Sequence, residues 1–287
     1  MTMTRLERWV GYAFVAELLL ILVLGSIGAW QLGDRTLQVG SVLGGIAWCA
    51  LIFVTLAPPA SSRSSWKGTL QFVACWLIFP LFKAIRDVFI THTADAALLA
   101  LDRHLWGGLS LPEHLLGWER PWLSELLSGG YFLFYFVVLL PAIAFSVRHR
   151  SREAATFFFG LTSMYLIGFA GYMLVPAGGP YIAFSETFPY PVHGGAMTAL
   201  LAGVVKAGIT GMDVFPSLHS GIGVYVLGFF ALGGYRRIAL LLAPIILALV
   251  VATLYLRYHY GIDVLCGIAL ATVVLTLVQR YRKEGQA

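Results

Sequence analysis

The stretch FPSLHSGIGVYVLGFFALGGYRRIALLLAPIILALVVATLYLRYHYGID, residues 215–263, decides the fold of this chain. It holds two apolar runs joined by the turn Gly233–Arg237, and its other polar residues gather at the two outer ends. A helix that crosses a bilayer needs about 20 mostly apolar residues. The two runs therefore predict a helical hairpin in a membrane. Such a hairpin brings residues 215–221 and 257–263 to the same level.

The composition of the whole chain agrees with a membrane environment. Of the 287 residues, 59% are hydrophobic and 11% charged, and the mean hydropathy is +0.82. A soluble domain carries about 25% charged residues, so a water-facing surface is excluded. The net charge of +5 does not indicate a nucleic-acid partner, because the basic residues punctuate apolar runs and form no patch. The three cysteines lie in apolar segments without metal-ligand spacing.

The apolar runs predict an all-α transmembrane bundle with about eight spanning helices, since backbone groups in lipid must be paired within their own segment. The predicted spans are Trp9–Trp30, Val39–Ala57, Leu70–Ile90, Tyr131–Val147, Ala154–Val175, Pro216–Leu232, Ile238–Leu256 and Gly261–Val278. We expect one membrane domain over residues 1–287. It would consist of an N-terminal hairpin, 1–68, and a catalytic helical core, 69–280.

Basic residues give the predicted orientation. They cluster at alternate loops: Arg5 and Arg8; Arg63 and Lys67; Arg148, Arg150 and Arg152; Arg236 and Arg237; Arg280, Arg282 and Lys283. The positive-inside rule makes that side cytoplasmic, so both termini would be cytoplasmic. Two long stretches, Thr91–Gly130 and Pro176–Val214, would face outward and form short interfacial helices. A bacterial inner membrane with a periplasmic or extracellular site follows as the expected location.

Ionisable groups inside spans are costly and therefore candidates for function. His259 and Asp263 are four residues apart, which would make them neighbours on one helix face. The carboxylate could then accept a hydrogen bond from Nδ1 and leave Nε2 free as a nucleophile or base. His219 follows Pro216 in the first turn of a helix, where free N–H groups attract phosphate. These residues predict phosphoester chemistry at the outer face.

The predicted third span adds two cations. Lys83 and Arg86 are three residues apart and can point at one anion, and Arg257 is a further cation beside the histidine. Phosphoryl transfer needs charge neutralisation of this kind. Two other interpretations of the same residues remain open at this stage. Asp263 could pair structurally with Arg257, and two histidines with one carboxylate could hold a metal ion.

The motifs FPSLHSG, residues 215–221, and TLYLRYHYGIDVLCG, residues 253–267, resemble the type 2 phosphatidic acid phosphatase superfamily. The inositol phosphorylceramide synthase branch is the most similar, and the stretches LDRHLWGG (101–108) and LVPAGGPY (174–181) also look like it. The resemblance implies that His259 forms a phosphohistidine, that Asp263 orients it, and that His219 protonates the leaving alcohol. It implies no metal and no cofactor.

Binding roles are expected for further residues near these motifs. Ser217 would join Lys83, Arg86 and Arg257 in binding the substrate phosphate. The segment Gly178, Gly179, Pro180 and Tyr181 would form a substrate loop.

Departures from the pattern favour the transferase branch over the phosphatases. The phosphatases carry an arginine six residues before the nucleophilic histidine, where this chain has Thr253. Their Ser-Gly-His has Leu218 in the middle here, and their Lys-x6-Arg-Pro clamp is not found in the sequence. The inositol phosphorylceramide synthase branch has two consecutive histidines at this motif, and this chain has Tyr258 at the first of the two positions.

Three functions follow as alternatives. The first is a phosphotransferase that moves a phosphoryl-linked headgroup from a phospholipid to an alcohol, with membrane lipids as donor and acceptor. The second is a lipid phosphate or polyprenyl (di)phosphate phosphatase with the same mechanism. The third is a non-enzymatic transporter. It is disfavoured because the charges gather at one face and no inverted repeat is visible.

Overall fold

The structure is a computed structural model that describes residues 5–56 and 66–284. These residues form α-helices, a 3-10 turn at Leu116–Trp118 and connecting loops, without a β-strand. The predicted all-α class is therefore confirmed for the described part of the chain. Arg63 and the last residue of the predicted span Val39–Ala57 lie outside the described residues.

The helices follow one another along the chain with mostly short connections. They are α1 (Arg5–Leu32), α2 (Arg35–Thr55), α3 (Lys67–Ile78), α4 (Leu81–Phe89), α5 (Asp95–Leu105), α6 (Leu111–Leu115), α7 (Pro121–Val147), α8 (Arg152–Leu174), α9 (Pro180–Ala183), α10 (Ala196–Gly208), α11 (Leu218–Leu232), α12 (Arg236–Tyr255) and α13 (Gly261–Glu284).

Within the described ranges, six helices are long and apolar enough to cross a bilayer: α1, α2, α7, α8, α12 and α13. The pair α3 and α4 qualifies as a seventh span only if taken together, because it bends by 45°. Pro80 lies at this break. It accounts for the bend because proline lacks the N–H that an uninterrupted helix requires. The chain is thus a membrane protein with several apolar helices.

The remaining predicted span, Pro216–Leu232, is shorter in the structure. It forms α11, which has 15 residues and at 1.5 Å per residue is about 22 Å long. The hydrocarbon core of a bilayer is about 30 Å thick. The total of eight spans and the orientation of the termini therefore stay predictions.

Two compact units divide the structure, and the first comprises described residues of 1–91, 139–170 and 274–287. In this unit α1 buries one stripe of side chains, with Phe14, Leu18 and Ile21 at intervals of three or four residues. Its other faces expose large apolar side chains such as Trp9 and Leu20. A helix that is apolar all round and only partly covered by protein suits a lipid environment.

The second unit comprises residues 92–138 and 171–273. Its core contains Leu98 and Leu99 of α5 together with Phe188, Val214 and Tyr260 from loops and helix termini. Tyr260 directly follows His259 in sequence, and its side chain is fully buried. The packing of this core therefore holds the loop that carries the candidate nucleophile.

Candidate active site

His259 and Asp263 form a buried pair in the second unit. His259 lies in the loop between α12 and α13, and Asp263 lies in the first turn of α13. Nδ1 of His259 is 3.2 Å from Oδ2 of Asp263, and the two residues are 2% and 0% exposed. A carboxylate accepts, so Nδ1–H donates, and in the neutral ring Nε2 then carries the lone pair.

The local geometry differs from the one that the sequence predicts. The pair does not share a helix face, because α13 begins only at Gly261. The chain turns at the end of α12, where the N–H groups of Tyr258 and His259 both donate to the carbonyl of Thr253, each at 3.0 Å. The N–H of Tyr260 then donates to Oδ2 of Asp263 at 3.3 Å. Asp263 thus closes the loop as well as orienting the imidazole.

His219 lies in the first turn of α11, and its ring centroid is 5.8 Å from that of His259. The rings of Tyr131 and Phe134 lie 5.0 and 4.8 Å from it. Centroid distances of this size are typical of packed aromatic rings, so Tyr131 and Phe134 pack against the imidazole. Because the two histidine rings are 5.8 Å apart, one phosphoryl group could contact both histidines.

Ser217 joins the two histidine motifs. Its hydroxyl accepts from the N–H of Ser220 at 3.4 Å and caps α11, which explains why the helix begins at Leu218. Its own N–H donates to the carbonyl of Asp263 at 3.0 Å. A Cβ on Gly267 would lie 2.2 Å from the Ser217 carbonyl oxygen, so only glycine permits this close approach of α13.

Arg257 lies two residues before His259 in a strained conformation. Its φ is +68°, in the left-handed region that side chains other than glycine rarely adopt. The side chain is buried and pairs with Glu119. The structural Arg257–Asp263 pair considered from the sequence is therefore wrong. Backbone strain of this kind clusters at functional sites.

The predicted substrate loop lies against the same segment. The N–H of Tyr181 donates to the carbonyl of Arg257 at 3.2 Å. Gly179 has φ +90°, and a Cβ there would lie 2.4 Å from the carbonyl oxygen of Tyr258. Glycine is thus required twice over, by its backbone conformation and by the close approach. The Gly178–Tyr181 loop, including Pro180 at the start of α9, lies beside the residues that precede His259.

Lys83 and Arg86 belong to the first compact unit. Lys83 Nζ is 2.9 Å and Arg86 Nη1 is 3.1 Å from the carboxylate of Asp87. Their predicted part in binding phosphate stays a prediction. Arg257, by contrast, lies in the same unit as the two histidines.

Several buried polar atoms around the pair have no hydrogen-bond partner within the described residues. In the second unit these are Nδ1 of His219, Oγ of Ser220, Nε of Arg257 and Oδ1 of Asp263. A buried polar atom without a partner costs about 1–3 kcal/mol, and such atoms are few in folded proteins. Their concentration here fits a site that receives a polar ligand.

Burial also sets the charge state of the candidate nucleophile. Burial lowers the pKa of the His259 imidazole to about 4, while the negative charge of Asp213 and the carbonyl of Val214 act in the opposite direction. Burial raises the pKa of the Asp213 carboxyl, which accepts a hydrogen bond from the Thr210 hydroxyl at 2.6 Å. His259 is therefore neutral at physiological pH, as a nucleophile must be.

The sequence did not mark three acidic residues of this unit as candidate site residues. Asp95 and Asp102 are nearly or fully buried in α5, although both lie in the stretch Thr91–Gly130, for which the sequence predicts interfacial helices. Their spacing of seven residues, two helical turns on one face, is a signal that could have revealed a shared role. Asp213 lies just before the FPSLHSG motif, and nothing in its local sequence marks it.

Residues 5–56 and 66–284 contain no group of three or more histidine, cysteine, aspartate or glutamate side chains that could hold a metal ion. The metal interpretation of the two histidines is therefore left to a chelator experiment, in which full activity would exclude a required ion.

Comparison with known proteins places the chain in a family. The model of the PAP2 superfamily matches residues 96–277, more than half of the chain. Neither the curated proteins nor the solved structures gave a match. The matched range contains His219, His259 and Asp263, and members of this superfamily are generally phosphatases or phosphotransferases. The chain belongs to the PAP2 superfamily.

Proposed function

We propose that this protein is a lipid phosphotransferase that moves a phosphoryl-linked headgroup from a phospholipid to an alcohol through a phosphohistidine at His259. The observation that carries the proposal is the arrangement of His219 and His259. Their rings lie 5.8 Å apart, and the Nδ1 of His259 is 3.2 Å from Asp263. One neutral imidazole is oriented for attack, and a second lies within reach of the leaving oxygen.

In the first half-reaction, Nε2 of His259 attacks the phosphorus of the donor lipid. The new N–P bond forms as the P–O bond to the leaving alcohol breaks, and His219 gives that oxygen its proton. The phosphorylated imidazole becomes cationic, and the carboxylate of Asp263 stabilises the Nδ1–H on its other side. The negative charge of a bound phosphodiester favours the protonated form of His219 before the step.

In the second half-reaction, His219 takes the proton of an acceptor hydroxyl as its oxygen attacks the phosphorus. The P–O bond forms, the N–P bond breaks, and the electron pair returns to Nε2 of His259. The guanidinium of Arg257 is the proposed cation for the equatorial phosphate oxygens, since its Nε has no partner among the described residues. A site of this kind accelerates transfer by positioning and charge neutralisation.

The choice of acceptor separates the transferase from its main alternative. With water in place of the alcohol, the same residues would make a lipid phosphate or polyprenyl (di)phosphate phosphatase. Leu218 and Thr253 depart from the phosphatase pattern, and these two departures support transfer, whereas Tyr258 departs from the His-His pair of the transferase branch itself. Transfer of a phosphoinositol group from phosphatidylinositol to ceramide is the prototype that the sequence resemblance implies.

Incubation of the purified protein with a panel of labelled phospholipids and alcohol acceptors tests the proposal. A transferase gives a new phospholipid and a free diacylglycerol. Release of inorganic phosphate from lipid phosphates, without a new lipid, would establish the phosphatase instead.

Samples of the same assay that are quenched with alkaline detergent should contain a label on His259 that is stable to base and labile to acid. The His259→Ala variant should lack both the label and the turnover. Lipid turnover that persists unchanged in this variant would exclude His259 as the nucleophile and with it both proposed mechanisms. A wild-type protein without any lipid turnover would leave the transporter as the remaining alternative.

A further inference from the structure

Helix α5 carries two acidic side chains for which the proposed chemistry has no use. Asp95 and Asp102 are seven residues apart and therefore lie on the same helix face. They are 3% and 0% exposed. A buried carboxylate is costly unless it accepts several hydrogen bonds, so the donors that contact these two residues indicate what they are for.

Asp102 binds the beginning of α13. Its Oδ2 accepts from the N–H of Gly261 and its Oδ1 from the N–H of Ile262, at 3.1 and 2.8 Å. The N–H of Leu111 also donates to Oδ2, and Nε1 of Trp106 donates to Oδ1, both at 3.1 Å. Each carboxylate oxygen therefore accepts from two donors. A carboxylate at a helix N-terminus is stabilised by the free N–H groups and the helix dipole. Asp102 thus caps α13 from a distant part of the chain.

Asp95 binds the other side of the same loop. It accepts from the N–H groups of Gly178 and Gly179, at 3.0 and 2.9 Å. Its Oδ1 also accepts from the hydroxyl of Tyr260 at 2.9 Å. Asp95 therefore ties the Gly178–Tyr181 loop to the residue that follows His259.

Together the two aspartates fix residues 260–262, which lie between His259 and Asp263. We infer that Asp95 and Asp102 are positioning residues that hold the Asp263 carboxylate in register with Nδ1 of His259. They touch neither the substrate nor the reacting atoms. The catalytic part of this inference rests on the proposed function, whereas the geometric part does not. A displacement of about 1 Å at a catalytic group can cost about 10²-fold in rate.

The variant Asp102→Asn tests the inference. An amide nitrogen in place of either oxygen would face two N–H donors and repel them, so the start of α13 must shift. We expect a fall in kcat of about 10²-fold with little change in KM for the donor lipid. We also expect the ¹⁵N signals of the His259 imidazole to change from the Nδ1–H tautomer toward a mixture. This second readout needs no activity, and a purely structural role would not move it.

The matched control is Asp34→Asn. Asp34 also caps a helix, accepting from the N–H groups of Thr36 and Leu37 at 2.9 and 3.1 Å, but it belongs to the first unit. Its substitution should leave kcat and the His259 signals unchanged. Asp95→Asn is the second variant, for use if Asp102→Asn does not fold, and it should change both readouts in the same direction.

Wild-type kcat and wild-type His259 signals in folded Asp102→Asn protein would overturn the inference. Equal changes in Asp34→Asn would overturn it too. Failure of the proposed function gives a different result. In that case His259→Ala retains turnover, while the tautomer of His259 still responds to Asp102.

Discussion

His259 is neutral because it is buried, and this has a measurable consequence. Burial lowers the pKa of its imidazole to about 4, from about 6.5 in an exposed histidine. Since attack needs the neutral ring, we predict that kcat/KM falls on the acid side near pH 4 and not near pH 6.5. The pH dependence of kcat/KM for the purified protein measures this.

The same shift predicts the direction of a stability change. The unfolded chain binds a proton on His259 at higher pH than the folded chain does. The stability that this residue contributes is therefore complete above about pH 6.5 and is lost as the pH falls toward 4.

The control for the activity profile is His92→Gln, which replaces an exposed loop histidine and should leave the acid limb of kcat/KM unchanged. A fall in the kcat/KM of the wild-type protein near pH 6.5 would contradict the buried, neutral state of His259.

Arg257 offers a second test at the scale of one residue. Its guanidinium is buried beside the histidine loop, and its Nε has no partner within the described residues. We predict that Arg257→Gln lowers kcat/KM by about 10²–10³-fold, the typical cost of removing one charge-stabilising donor. Steady-state kinetics of Arg257→Gln beside Lys83→Gln and Arg86→Gln measures it. A larger loss in either of the latter two would make α4 the phosphate clamp.

At the scale of elements, the site depends on how closely α13 approaches the start of α11. A Cβ on Gly267 would lie 2.2 Å from the carbonyl oxygen of Ser217. We predict that Gly267→Ala destabilises the protein by about 1–3 kcal/mol, as overpacking does, and reduces activity because Ser217 and His219 shift together. Thermal unfolding in detergent and turnover of the folded fraction measure the two effects.

Gly203 in α10 provides the matched control for this substitution. It also lies within a helix, but a Cβ added there meets nothing within 4 Å. Gly203→Ala should stabilise the helix by up to about 1 kcal/mol, because alanine has the higher helix propensity. Equal effects of the two substitutions would show that the approach of α13 to Ser217 is not tightly packed.

At the scale of the whole molecule, the alternation of basic loops predicts the orientation. The segment before α8 contains Arg148 and Arg150, whereas the loop after α8 contains no Lys or Arg from Val175 to Gly195. In a chain without its native cysteines, we predict that Arg150→Cys is labelled by an impermeant maleimide only from the cytoplasmic side. Ser185→Cys should be labelled from the opposite side. Labelling of both from one side would reject the predicted orientation.

The sequence by itself determined the helical membrane character of this protein and the two motifs that carry the histidines. Both are local properties. An apolar run of sufficient length makes a helix wherever it lies in the chain, and the hairpin of residues 215–263 places its own two ends at one level. Pro80, where the helix breaks, is visible in the sequence, but the apolar run around it predicted one continuous span.

Only the tertiary structure decided which polar groups meet. It paired Arg257 with Glu119, and it showed that Asp263 reaches His259 across a helix start and not along a helix face. It also brought Asp102 to the N-terminus of α13, 159 residues away in sequence. Hydrophobic periodicity records which side of a helix is buried, but a hydrogen bond depends on which distant atom lies within about 3 Å. That distance is set by the packing of the whole unit.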